Sequence, residues 1–197
     1  MTGRERIIKA LHHQKTDRVP VDIGGTLCSG AHVSTVAKLR QALGLAKPGE
    51  RVKVSEPYQM LGEIDTEPLN ALELDVVNVP SPKTLFGFAN ENFKPWRTFD
   101  GTDVLVSEHF NTNPEPDGSV LMYPGGDRSV PPSGKMPEGG FYFDSIVRQP
   151  PIDEEKLNPK DNMEEFVPIS DEDLEYYRTQ VDRLYRETDL ALAAGFP

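Results

Sequence analysis

The chain has 197 residues, 37% of them hydrophobic, enough for one domain with a sizeable core. Its 32 acidic residues outnumber 21 basic ones, and a formal charge of −11 with no basic stripe argues against nucleic-acid and anionic-membrane partners. One cysteine, Cys28, excludes an intrachain disulfide framework; with no apolar leader and no run of transmembrane length, the composition predicts a cytoplasmic protein.

Thr2-Gly3-Arg4-Glu5 has the spacing of a capping box, in which the Thr2 hydroxyl accepts a backbone N–H and Glu5 reaches back. Ile7, Ile8 and Leu11 then share one helical face. Val19-Pro20-Val21-Asp22-Ile23 reads as a short strand, with Pro20 near its start or at an edge position. Gly24-Gly25 free the backbone to leave that strand at almost any angle. A small polar loop over 26–30 leads into a helix over 32–43, which Gly44 stops. A short strand is expected near 51–54. Pro57 suits the first position of a helix whose apolar face is Tyr58, Met60, Leu61 and Ile64. Asp65 caps another short helix, carrying Leu69 and Leu72. Residues 74–80 are β-branched and nearly continuous, as a strand buried on both faces should be. The helices between it and 19–23 predict a parallel pair, since a parallel pair needs a long crossover.

From Ser81 to about Asp144 the chain is rich in Pro, Gly, Asn and Asp, with short alternating runs over 102–110, 119–123 and 140–144. Asp100-Gly101 and Asp117-Gly118 are hairpin turn signals, so this stretch reads as a small antiparallel meander anchored by Trp96 and Phe99. Residues 150–168 are a proline-punctuated connector with helical turns near Glu154 and Glu164. The last helix opens on Ser170 with an acidic first turn. Leu174, Tyr177, Val181, Leu184 and Thr188 give it an apolar face that Leu192 extends, Arg178–Asp182 and Asp182–Arg186 pair on its wet side, and Gly195 stops it. Phe196-Pro197 resembles the approach to another strand.

Few residues carry a chemical signal. Cys28 and His32 have a spacing that could place both on one metal, but a zinc site needs three or four ligands and no second pair stands nearby. His12-His13 suits a helix C-terminus, and His109 has no evident partner. Asp22 could bind a substrate group at the end of its strand or anchor the loop backbone, and Asn78 holds the matching position on the second strand. Gly24-Gly25 and Pro124-Gly125-Gly126 lack the Lys-Ser/Thr of a phosphate loop and read as turns. Candidate pocket residues are therefore Asp22, Gly24, Gly25, Thr26, Asn78 and Ser81.

The opening Met1-Thr2-Gly3-Arg4-Glu5-Arg6-Ile7-Ile8-Lys9-Ala10-Leu11, with Thr16-Asp17-Arg18-Val19-Pro20-Val21, resembles the N-terminus of the uroporphyrinogen decarboxylase superfamily, most of all its corrinoid- and cobalamin-dependent methyltransferase branch. Leu72-Glu73-Leu74-Asp75-Val76-Val77 is similar to that family's second barrel strand. The resemblance implies an α/β fold, the N-terminal part of a (β/α)8 TIM barrel, here carrying the inserted meander. Residues 1–80 would be the first βα units, 81–150 the insert, and 151–197 a connector and barrel helix. It implies methyl transfer between a corrinoid and a thiol-type acceptor, with zinc and a corrinoid as cofactors of the full-length protein and none within this chain. A small molecule or a corrinoid protein would be the substrate. Decarboxylation of a carboxylated tetrapyrrole is the alternative within the superfamily, but the family's arginine-bearing loop is replaced here by residues 24–30, without arginine. A non-catalytic binding module with the meander as its surface is the alternative outside it. Two barrel strands of eight predict an N-terminal fragment that pairs with another copy or with the missing half.

Overall fold

The computed structural model describes residues 1–148, 151, 153–160 and 168–195. The fold is mixed α/β, with three sheets of which none closes on itself among the described residues. No helix there is long and apolar enough to cross a membrane.

Helix α1 (Gly3–Leu11) starts on the expected capping box: Glu5 N–H donates to Thr2 Oγ1 at 3.1 Å and Thr2 N–H to Glu5 Oε2 at 3.0 Å. Its burial is the reverse of the expected pattern. Gly3 and Arg6 face inward, whereas Ile8 and Leu11 lie exposed. Helix α2 (Val33–Ala42) is capped by His32 and ends before Gly44, whose positive φ allows the chain to turn away.

Residues 19–23 form no strand, which corrects the first strand expectation and the pairing built on it. The reason lies in where their backbone groups go. Arg18 donates to the Val19 carbonyl, Pro20 has no N–H, and Val21 N–H is taken by the Asp75 carboxylate at 2.8 Å. One backbone bond, from Asp75 N–H to the Val21 carbonyl at 2.8 Å, is all that remains of a ladder. Val19 is accordingly 79% exposed.

Strand β1 (Val52–Glu56) and strand β2 (Leu61–Gly62) form a bulged hairpin, so the helix expected from Pro57 is absent. The buried Glu56 carboxylate gathers Tyr58 N–H at 3.0 Å and Gln59 N–H at 2.8 Å into a tight turn, and Met60 takes a left-handed φ of 54° that no helix continues through. Helix α3 (Thr66–Ala71) follows Asp65 as expected, although the Asp65 carboxylate pairs with Arg40 instead of capping.

Strand β3 (Val76–Val79) is the strand expected over 74–80. Strands β4 (Lys94–Arg97) and β5 (Asp103–Val106) are joined by the Asp100-Gly101 turn, where the Asp100 carboxylate accepts from the Thr98 and Thr102 hydroxyls. They do not continue into a single meander. Instead β5 pairs in parallel with β1, giving the sheet order β2-β1-β5-β4. Strands β6 (Val120–Met122), β7 (Gly134–Met136) and β8 (Asp144–Ser145) make a separate antiparallel sheet. Of the run expected over 140–144, only its last residue is in a strand. One core joins these two sheets to α2: Val33, Val54, Met60, Phe86, Phe88, Val104, Phe110, Met122 and Phe143 among others, with Trp96 half-buried against Phe110. Residues on either side of position 80 thus share one core.

Helix α4 (Asp171–Glu187) begins at Ser170, whose hydroxyl accepts Asp173 N–H at 3.1 Å. Of its expected apolar face, Tyr177 and Leu184 are buried while Leu174 and Val181 are largely exposed. The Asp182–Arg186 pair forms, but Arg178 turns to Glu175. The helix stops at Thr188, whose backbone is extended and whose hydroxyl bonds the Leu184 carbonyl at 2.8 Å. Leu192 therefore lies not on the helix but in strand β9 (Ala191–Ala194), which pairs in parallel with β3 over its whole length. The helical turn near Glu154 is present as a 3-10 turn; the one near Glu164, and Phe196-Pro197, lie outside the described residues.

Candidate functional site

Asp75, 1% exposed at the head of β3, is the most deeply buried charged side chain in this half of the molecule. Its carboxylate receives the Arg6 guanidinium, two N–H groups of Arg18 at 2.7 and 3.0 Å, and Val21 N–H. Arg6 reaches on to Asp17 at 2.6 and 2.9 Å, and that guanidinium holds the Asp17 carboxyl well below the usual carboxylate range. Gly3 completes the knot, because a Cβ there would stand 2.9 Å from the Asp75 carbonyl oxygen. Nearby, Arg4 donates to the carbonyls of Tyr185, Thr188 and Leu190, covering the bare C-terminal end of α4. Every charge here is answered by another, so the knot is architecture. It sits at the N-terminal end of β3; chemistry on parallel strands gathers at the opposite end.

Along β3 the side chains alternate between two faces. Val77 and Val79 point to one, where Tyr177, Leu184, Ile169 and Leu192 cover them. Val76 and Asn78 share the other, next to Ala191 and Ala193 of β9 in register. This second face is where the structure brings Gly25 of the loop. Gly25 lies so close to Val76 that a Cβ on it would collide with the valine methyl, and Gly24, at φ 81°, lies against Ile64. Asn78 stands two residues further along the same face, about 7 Å at strand rise. Its amide has no hydrogen-bond partner among the described residues.

Asp22 anchors the loop backbone, its Oδ1 accepting Gly25 N–H at 2.8 Å. Thr26 and Ser29 cap each other across a short 3-10 turn at Leu27–Ser29, with Thr26 N–H to Ser29 Oγ at 3.0 Å. Ser81 falls on the α4 side of the strand, within 3.4 Å of the Tyr177 hydroxyl. Thus Gly25 and Asn78 meet one face of β3, while Ser81 belongs to the other.

The metal candidates fare differently. Cys28 is an exposed free thiol. Both ring nitrogens of His32 are engaged: Nδ1 accepts Ser34 N–H at 3.2 Å, and Nε2 is 2.9 Å from the Phe141 carbonyl. The residues present therefore do not fit zinc at this pair. An acidic cluster that sequence reading missed, Glu50, Asp65 and Glu67, has carboxylate oxygens close enough to share an ion. The buried Arg40 guanidinium already fills that role, at 2.9, 2.8 and 2.7 Å from the three, and Lys47 adds a bond to Glu67 at 2.8 Å. Burial pulls the Arg40 pKa down, but the three carboxylates together outweigh it and raise it. His109 packs its ring near Phe88, beside Glu108. The best-formed concavities among the described residues are open ones, on the outer side of α4 and between Glu115 and Lys135, and neither includes a candidate residue.

Comparison with family models, with curated proteins and with solved structures finds no match to this chain.

Proposed function

We propose that this chain forms the N-terminal part of a (β/α)8 enzyme similar to the uroporphyrinogen decarboxylase superfamily, and that the assembled enzyme moves a methyl group between a corrinoid and a thiol-type acceptor. The observation that carries the reading is the two-faced parallel pair β3–β9. One face is covered by a helix, as the outer face of a barrel strand is; the other is lined by Val76, Asn78 and two alanines, and faces the glycine loop. Wholly parallel sheets are found with both faces covered, so this pair calls for further strands at its open edges. The residues behind the family resemblance support it as well. Thr2, Gly3, Glu5, Arg6, Asp17, Arg18 and Asp75 are joined in one network of caps, close packing and ion pairs.

In this scheme Asn78 offers an amide to the substrate near the carboxyl end of β3, and Gly24-Gly25 bring the backbone close overhead. Zinc and corrinoid would be held by residues beyond those described, because Cys28 is left a lone ligand once His32 is committed to Ser34 and Phe141. No step of the chemistry is assigned to this chain.

The test is a methyl-transfer assay on the complete gene product, with methylcobalamin and a thiol, followed by the absorbance change on demethylation. Turnover that falls at least tenfold in Asn78→Ala, with an unchanged melting temperature, is the expected result. Decarboxylation of uroporphyrinogen in place of methyl transfer would move the protein to the other branch. Inactivity in both assays would leave the binding-module reading.

A further inference from the structure

His32 closes a contact between two parts of the fold that no strand connects. Its backbone bridges Leu61 at the end of the first sheet, and its ring caps α2. The same ring reaches the tongue that links β7 to β8: Nε2 lies 2.9 Å from the Phe141 carbonyl, and the Phe141 ring packs edge-on at 5.4 Å. The tongue has little else to hold it. Phe141 and Tyr142 are half-exposed, and its firm anchor is Phe143, whose N–H donates to the Tyr58 carbonyl at 2.9 Å.

The two ring contacts determine the proton's position. Ser34 N–H is a donor, so Nδ1 must accept and carries no hydrogen. The hydrogen is then on Nε2, donated to the Phe141 carbonyl. A second proton can go only to Nδ1, where it would meet the Ser34 N–H head-on, donor against donor. Protonation therefore removes the cap of α2 and forces the ring to move.

We infer that His32 is a proton-sensitive clasp, closed when neutral, that holds the 139–142 tongue against the start of α2. The charged groups acting on the ring are Asp100, from the β4–β5 turn, and Lys38, from α2; the tongue contributes its carbonyl and an aromatic ring. Asp100 is bound by the Ser34 and Thr98 hydroxyls and by Lys38, so its charge is largely spoken for. Burial pushes the imidazole below its ordinary 6.5, against the opposing pull of the Phe141 carbonyl and Asp100. With the folded value depressed, the clasp is fully closed above about pH 6.5 and weakens as the pH falls below it.

The test is amide hydrogen exchange in the intact protein between pH 7.5 and 5, expressed as protection factors, with the His32 ring followed by NMR. Protection at Ser34, and at Gly140 and Phe143, whose N–H groups donate to the Pro137 and Tyr58 carbonyls, should drop five- to tenfold through the His32 titration, the size of a lost helix cap. In His32→Asn, a residue that caps well but does not titrate, that drop should vanish. Protection that stays flat through the titration, or an unchanged drop in His32→Asn, would overturn the inference.

Discussion

Asp75 holds together three stretches of chain with one carboxylate, and the cost of losing it follows from what it leaves behind. Asp75→Asn leaves the Arg18 guanidinium with only the exposed Glu73 carboxylate, 3.8 Å away, and removes one of the two carboxylate partners of Arg6. A broken buried ion pair is strongly destabilising because the surviving charge is unanswered, so a loss of roughly 3 kcal/mol is expected in urea denaturation. Glu56 is the second buried carboxylate, and its argument runs through pH. Burial raises its pKa above the ordinary 4.5, against the backbone N–H groups of Gln59, Tyr58 and Leu85, which favour the charged form. A raised carboxyl pKa means the folded state holds the proton longer, so this group's contribution to stability declines as the pH rises through that range. Glu56→Gln removes the titration but turns an NH2 toward one of the N–H donors, which costs about 1–3 kcal/mol. The variant should melt lower than wild type, with the gap narrowing from pH 4.5 toward neutrality.

Gly3 lies where a helix position normally gains from alanine, by about 1 kcal/mol of backbone entropy. Against that gain stands a backbone carbonyl 2.9 Å from the new methyl, and a backbone atom cannot swing aside. Overpacking of this kind costs about 1–3 kcal/mol, so Gly3→Ala should lower the melting temperature despite its higher helix propensity. The same contest between local and distant forces explains which elements were legible in the sequence. The caps at Thr2 and Ser170, the Asp100-Gly101 turn, α2 and β3 depend on neighbours within a few residues, and each was visible there. Residues 19–23 look like a strand until Arg18 and Asp75 take their backbone groups, and Asp75 is 54 residues away from Val21. Leu192 keeps helical spacing, yet Thr188 and Arg4 end the helix before it. At the site, Asn78 and the glycine pair could be named as candidates. That Gly25 and Asn78 share a face, and that Ser81 does not, depends on the strand's alternation once α4 has covered one side. The Arg40 cluster went unseen because its three carboxylates, 10 to 27 residues away in sequence, converge only around the Arg40 guanidinium in the folded chain.

Across the molecule, one core is closed and the other is open. The twelve buried residues around Phe110 and Phe143 are enclosed by two sheets and a helix. The smaller core, Val79, Tyr177 and Leu184, backs onto a parallel pair to which no further strand is added among the described residues. Exposed Ile8 and Leu11 on α1 add apolar surface in the same half. The isolated 197-residue chain should therefore self-associate, with a light-scattering mass above 21.9 kDa. A monodisperse 21.9 kDa species that unfolds in one cooperative step would count against the open-barrel reading. The grip of Arg4 on the far end of α4 has a bearing on how the protein is made. That grip spans 186 residues, so α1 can seal the end of α4 only when nearly the last of these residues has been synthesised, long after its contacts with Asp75 can form. At bacterial-to-eukaryotic elongation speeds the wait is roughly 10–40 s. During that interval α1 is held by Asp75 alone, and its isoleucine–leucine stripe, which stays exposed in the finished fold, is available to any chaperone that samples nascent chains.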